Sequence, residues 1–193
     1  MKKTVLVMLS LLVATLMLAA LPISGEERIY DDVIRLHVLA ASDDAADQEK
    51  KLLVRDAVLA EWGDLLADCG SRTEAQARLD GASLAEIRAT ARQALSDAGD
   101  FSDVEVLLSV EEYPTRDYGS FSLPAGEYLS LRIVIGEGEG RNWWCVLFPP
   151  LCTAGALQDV PLGLSDAEFS LIRKRDTSVR FKALEVLSSV FKR

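Results

Sequence analysis

Near Gly99 the apolar pattern changes period, from three or four residues before it to two after it, and this switch limits the fold more than any other feature. Before the switch the composition is helical. From Ala46 to Asp68, Val54, Ala57, Val58, Trp62 and Leu65 fall on one face at a hundred degrees per residue, with Glu61 as a carboxylate on the rim of that face. Ser42, Asp43 and Asp44 offer caps for its start. Gly70-Ser71 breaks the helix, a short second one is expected over Arg72–Leu79, and Asp80-Gly81 interrupts it. Ser83-Leu-Ala-Glu86 has the spacing of a capping box, opening a third helix with Leu84, Ile87, Ala91 and Leu95 on one side.

After Gly99, Val104, Val106, Leu108 and Val110 alternate with Glu105, Leu107 and Ser109. Leu129, Leu131, Ile133 and Ile135 do the same with Tyr128, Ser130, Arg132 and Val134. Residues 142–148 form a third strand, too uniformly apolar to be exposed on both faces. Gly136-Glu-Gly-Glu-Gly140 reads as the turn of an antiparallel hairpin joining the last two strands. Ahead of the helices, the alternating stretch from Val33 to Leu39 predicts one more strand. Ala183, Leu184, Leu187, Val190 and Phe191 predict a C-terminal helix. An N-terminal strand and helices, then a mainly antiparallel sheet, then a helix make an α+β fold, in a single domain over residues 26–193.

Residues 1–25 stand apart. Lys2 and Lys3 precede a run without charge from Val5 to Leu21, and Glu26, Glu27 and Arg28 restore polarity, the pattern of a secretory signal peptide. The run also reaches the ~17–25 residues of a membrane anchor, so cleaved and retained forms are both open. In either form the lysines leave the remainder outside the cell. The chain carries a formal charge of −9, with 30 acidic residues against 21 basic ones. This opposes nucleic acid and anionic lipid, so membrane contact is expected only through the first segment. An acidic surface keeps an exported protein soluble.

Chemistry-bearing motifs are few. Gly136-x-Gly138-x-Gly140 precedes a strand rather than a helix and carries glutamates where a phosphate would sit, so it is a turn and not a cofactor site. His37 is the single histidine, and no nucleophile elbow, zinc motif or Cys-x-x-Cys accompanies it, so neither catalysis nor a metal nor a cofactor is expected. It reads as a strand residue packed on the helical layer. Three cysteines suit one local disulfide, between Cys145 and Cys152 across two prolines, with Cys69 free; two reduced, buried thiols fit the same count.

Two segments have the composition of recognition surfaces. Tyr113-Pro-Thr-Arg-Asp-Tyr-Gly119 places Tyr113, Arg116 and Tyr118 in a connection between strands; it reads equally as a recognition loop, since Tyr and Arg are enriched at interface hot spots, and as an ordered Pro/Gly connection whose tyrosines staple it to the core. Trp143 and Trp144 are adjacent in a strand and point to opposite faces, leaving one indole that either covers a second layer or waits for a partner, and that an oligomer or a covering helix would also absorb.

At these blocks the chain resembles the stage II sporulation protein R family. Ile34-Arg-Leu-His-Val-Leu-Ala-Ala-Ser-Asp43 with Val54-Arg-Asp-Ala-Val58 is similar to its opening. Tyr113-Pro-Thr-Arg-x-Tyr-Gly119, Leu123-Pro-Ala-Gly126 and Asn142-Trp-Trp-Cys-Val-Leu-Phe-Pro-Pro-Leu-Cys152 are similar to its later blocks, in order. Ala41, where an asparagine is expected, is a departure, and the tail after Cys152 matches loosely. The resemblance implies a secreted signal of endospore formation, made in the forespore and exported into the space between the forespore and mother-cell membranes. It would there activate a membrane-embedded aspartic protease that processes the precursor of sigma factor E, and would not itself be an enzyme. Tyr113, Arg116, Tyr118, Trp143 and Trp144 are then the candidate contacts to that protease. The rival readings are a secreted cell-wall hydrolase and a structural component of the septal space.

Overall fold

A computed structural model of the chain describes residues 2–20, 26–119 and 121–151. The predicted C-terminal helix and Cys152 lie outside the described residues. Helix α1 (Lys2–Ala20) opens the chain and exposes Val5, Leu6, Met8 and Leu9. Among the described residues no helix is long and apolar enough to cross a membrane. Helix α2 (Glu26–Asp32) leads into strand β1 (Ile34–Leu39), followed by helices α3 (Ala45–Ala67), α4 (Arg72–Arg78) and α5 (Gly81–Asp97). Then come β2 (Val104–Tyr113), the short strands β3 (Arg116–Asp117) and β4 (Ser122–Leu123), β5 (Gly126–Ile135) and β6 (Asn142–Phe148).

The architecture is α+β. Four strands form one mixed, mainly antiparallel sheet in the order β2-β5-β1-β6, and β3 pairs with β4 in a separate two-stranded ribbon. The expected hairpin between β5 and β6 is not made. Strand β1 lies between them, parallel to β5 and antiparallel to β6. The glycine-rich segment is instead a strap over the end of β1. Gly140 donates its N–H to the Ala40 carbonyl, and a Cβ on it would sit 2.2 Å from the Ser42 carbonyl oxygen. Gly136 and Gly138 take positive φ angles of 57° and 67°, which side-chain-bearing residues rarely adopt. From α3, Lys51 closes the strap by donating to the Arg141 carbonyl at 2.8 Å.

The helices cover one face of the sheet. Val54, Val58, Trp62 and Leu66 of α3 and Ile87, Ala91 and Leu95 of α5 pack on Ile34, Leu36, Val38, Val104, Val106, Leu131 and Ile133. Each large apolar side chain so buried contributes roughly 1.5–3 kcal/mol. Helix α5 starts earlier than the Ser83 pattern implies. Its cap is Asp80, whose carboxylate accepts from the Ser83 N–H at 2.9 Å, because the acidic residue three positions upstream offers a stronger acceptor. Glu61 is exposed and accepts from the Thr90 hydroxyl of α5, as a rim carboxylate would.

Candidate recognition site

With Ile34, Leu36 and Val38 turned to the helices, the period of two sends Arg35 and His37 to the opposite face. His37 is therefore not packed on the helical layer. Register aligns it with Arg132 of β5 and Trp144 of β6, while Arg35 aligns with Ser130 and Val146. One part of this face is covered by a second small core, in which Ile29 of α2, Phe121 and Leu123 pack on Val33, Tyr113, Tyr128 and Val146. Tyr30 secures α2 by laying its ring on the bare backbone of Gly126 and donating its hydroxyl to the Ala125 carbonyl at 3.0 Å.

At the centre of this cover, Arg35 is fully buried. Its Nε donates to the Cys145 carbonyl at 3.3 Å and its Nη2 to the Tyr118 hydroxyl, while Nη1 has no partner. The guanidinium carbon stands 4.1, 5.0 and 5.7 Å from the ring centres of Tyr113, Tyr128 and Tyr118, so three aromatic faces replace the carboxylate a buried cation usually finds. Burial pushes the Tyr113 and Tyr118 hydroxyls above the ordinary phenol range, so both stay neutral.

A second polar chain runs beside this cage. His37 Nδ1 lies 3.1 Å from Glu111 Oε2, and its Nε2 lies 2.9 Å from Asn142 Oδ1. Glu111 accepts from the Tyr113 hydroxyl at 3.2 Å, and that hydroxyl meets Ser130 Oγ at 2.7 Å. Burial pushes the Glu111 carboxyl up, but the bonds from His37 and Ser130 and the Arg132 charge outweigh it and leave it below its usual range. Glu111 is a histidine partner that motif spacing did not reveal. The two residues are brought together only because β2 and β1 lie on either side of β5. The arrangement orients an imidazole, but its second nitrogen meets an amide and not a hydroxyl or thiol. Among the described residues no group of histidine, cysteine and acidic side chains is placed to hold a metal ion.

The five proposed contact residues do not form one surface. Tyr113 ends β2 and is 2 % exposed, so it supports Arg35 from within rather than facing solvent. Tyr118 is half-buried and stacks on Phe121 with ring centres 4.7 Å apart. Arg116, on β3, lies over Trp144 with its guanidinium carbon 3.5 Å from the ring centre. The tryptophans take opposite faces: Trp144 joins the second core, and Trp143, 36 % exposed, receives Arg55 of α3 at 4.4 Å. Cys145 is disulfide-bonded and Cys69 is a free, buried thiol.

Residues 30–158 match the family described as stage II sporulation protein R. The chain belongs to that family. A stage II sporulation protein R from Bacillus subtilis (strain 168) is 43% identical over 124 residues, which cover 64% of this chain and 55% of that relative. The chain thus spans little more than half the length of the relative it matches. No solved structure matches it. The stretch matching the stage II sporulation protein R family begins in α2 and takes in the arginine cage, the His37–Glu111 pair and both tryptophans. The family name makes this a sporulation protein, and it names no enzyme.

Proposed function

We propose that the chain is a secreted signal of endospore formation that activates a membrane-embedded aspartic protease, which then processes the precursor of sigma factor E. The observation that carries this reading is the family match over residues 30–158. In this reading residues 1–25 direct export from the forespore, and residues 26–193 act between the forespore and mother-cell membranes. The basic start and charge-free run from Val5 to Leu21 support export, and the acidic balance supports solubility outside the cell. The chain binds and does not catalyse: the protease supplies the catalytic aspartates, and Arg116, Tyr118 and a tryptophan supply the contact.

A cell-wall hydrolase draws support from one observation, the imidazole held by Glu111. Such an enzyme needs a nucleophile or an activated water at the other ring nitrogen, which Asn142 occupies. Co-expression of the exported chain with the protease and the sigma-factor precursor tests the signalling reading. Processing should require the chain and its N-terminal segment. Equal processing without the chain, or with a version confined to the cytoplasm, sinks it. Turnover of peptidoglycan by the purified chain, lost in a folded His37→Ala variant, favours the hydrolase.

A further inference from the structure

Strand β2 is one edge of the four-stranded sheet. Its inner side pairs with β5 over its whole length, from Val104 against Ile135 to Tyr113 against Gly126, without a shift of register. Among the described residues nothing pairs with its outer side. Long edges are usually blunted by proline, lysine, a bulge or a cover. β2 has no proline, no basic residue and no bulge. The partner whose geometry matches its outward row of N–H and C=O groups is another strand. The side chains narrow the kind of strand. Glu105, Leu107, Val110 and Glu112 are exposed along this edge. Asp103 is matched by Arg92, and Glu111 by His37 and Arg132. Glu105 and Glu112 have no ion pair among the described residues, and Arg88, exposed on α5, pairs with neither. Glu112 also lies directly across from Glu127, a like-charge pair that a cation beside it would relieve. A strand laid along β2 thus meets carboxylate, apolar, apolar and carboxylate at 105, 107, 110 and 112, an order that is the same from either end.

We infer that the outer edge of β2 docks an extended segment of a partner protein, with a basic residue at each end and two apolar residues between them at the matching spacing. The backbone pairing supplies affinity, and the four side-chain positions supply selection. A second copy of this chain is a poor occupant. Every charged residue of β2 is a glutamate, so no register of the strand with itself offers a cation. The chain's own tail is a poor occupant too, because residues 152–193 hold no segment with this spacing. The inference rests on the signalling reading only for which partner supplies the strand.

The test uses the full chain and a capped peptide, Lys-Thr-Val-Thr-Thr-Val-Thr-Lys, followed by calorimetry and amide hydrogen exchange. The outward amides of β2 should exchange fast in the free chain and slowly once the peptide binds. The same peptide with glutamate at both ends should bind about tenfold more weakly, and Glu105→Lys with Glu112→Lys should invert that preference. Val110→Lys, at a side chain 63% exposed, gives β2 the lysine that blunts natural edges and should weaken binding of the lysine peptide at unchanged melting temperature. Equal binding by the peptide N-methylated at every residue would reveal charge attraction without strand pairing, and overturns the inference. So does an unaltered preference in the reversed variant, or protection that falls on β6 instead. Outward β2 amides already slow in the free chain assign the edge to the chain's own tail, and dimers that Val110→Lys dissolves assign it to a second copy; either result overturns the inference. In the co-expression assay, a chain that binds the peptide yet triggers no processing keeps the docking edge and fails the signalling reading. A reversed variant that no longer binds the peptide yet triggers full processing does the reverse.

Discussion

Replacing Arg35 tests whether its charge or its shape holds the second core together. The guanidinium makes two hydrogen bonds and lies against three tyrosine rings. Hydrogen bonds from a charged donor contribute roughly 1.5–3 kcal/mol each, and a desolvated cation–π contact about 2 kcal/mol. Against this stands the cost of burying a cation without a carboxylate, several kcal/mol even after relaxation. The two sides nearly cancel, so an apolar side chain of similar length should lose little. Arg35→Met is expected to destabilise by no more than about 1–2 kcal/mol. Arg35→Ala leaves a void among Tyr113, Tyr118 and Tyr128 and should cost about 3–4 kcal/mol. Urea unfolding of both variants, followed by tryptophan fluorescence, measures the difference if the denaturant slope is unchanged. A methionine variant as unstable as the alanine one would refute the cancellation and show that the charge itself binds the cage. An alanine variant within about 0.5 kcal/mol of wild type would refute the fixed cage altogether.

The disulfide assignment is tested by thiol labelling of exported, denatured protein: Cys69 alone should react, and three labelled thiols would overturn the Cys145–Cys152 pairing. Gly140→Ala should destabilise by roughly 2 kcal/mol or more, because its new methyl meets the Ser42 carbonyl in the strap. Gly63→Ala, in a helix with open space around it, should stabilise by about 0.5–1 kcal/mol, and the pair is read from urea midpoints. Asp100 is held down to about 2 by Lys50, 2.6 Å away, and by the Ser102 N–H. A depressed carboxyl stabilises the fold above its unfolded value and loses that contribution as pH falls from about 4 through 2, so Asp100→Asn should flatten the midpoint-against-pH curve in that window.

Local structure was legible because one-sided burial writes its period into the chain. Val54, Val58 and Trp62 mark α3, and Leu129 to Ile135 mark β5, without reference to anything distant. What joins the elements leaves no such mark. Ile34 to Leu39 alternate in the same way whether β1 is an edge strand or lies at the centre, so its insertion between β5 and β6 was not readable. For that reason the glycine strap has the sequence of a hairpin turn although β1 lies between the strands it joins. Period alone also misjudges the end of β2: Val110 shares the phase of Val104 and Val106 but is 63% exposed, while Tyr113 in the opposite phase is buried under α2 and the ribbon. The site shows the same division. The opposed tryptophans follow from strand geometry, whereas Glu111 reaches His37 only through a strand order that no local signal encodes. Arg116 looked like a loop residue free to bind. Its seat on Trp144 depends on where the ribbon folds back.

The central place of β1 also has a consequence for how the molecule comes into being. Its two neighbours, β5 and β6, are synthesised only after all three core helices and β2 have been made. Until Ile135 is in place, the strand bearing Arg35 and His37 has partners on neither edge, and until Phe148 is made it lacks one of them and the helices have an incomplete sheet to pack on. Contacts between residues so far apart in sequence carry a high loop-closure cost and form late. The sheet is therefore expected to close only once β6 has been made. That timing suits the export proposed above, in which the chain is threaded across a membrane before it acquires its shape.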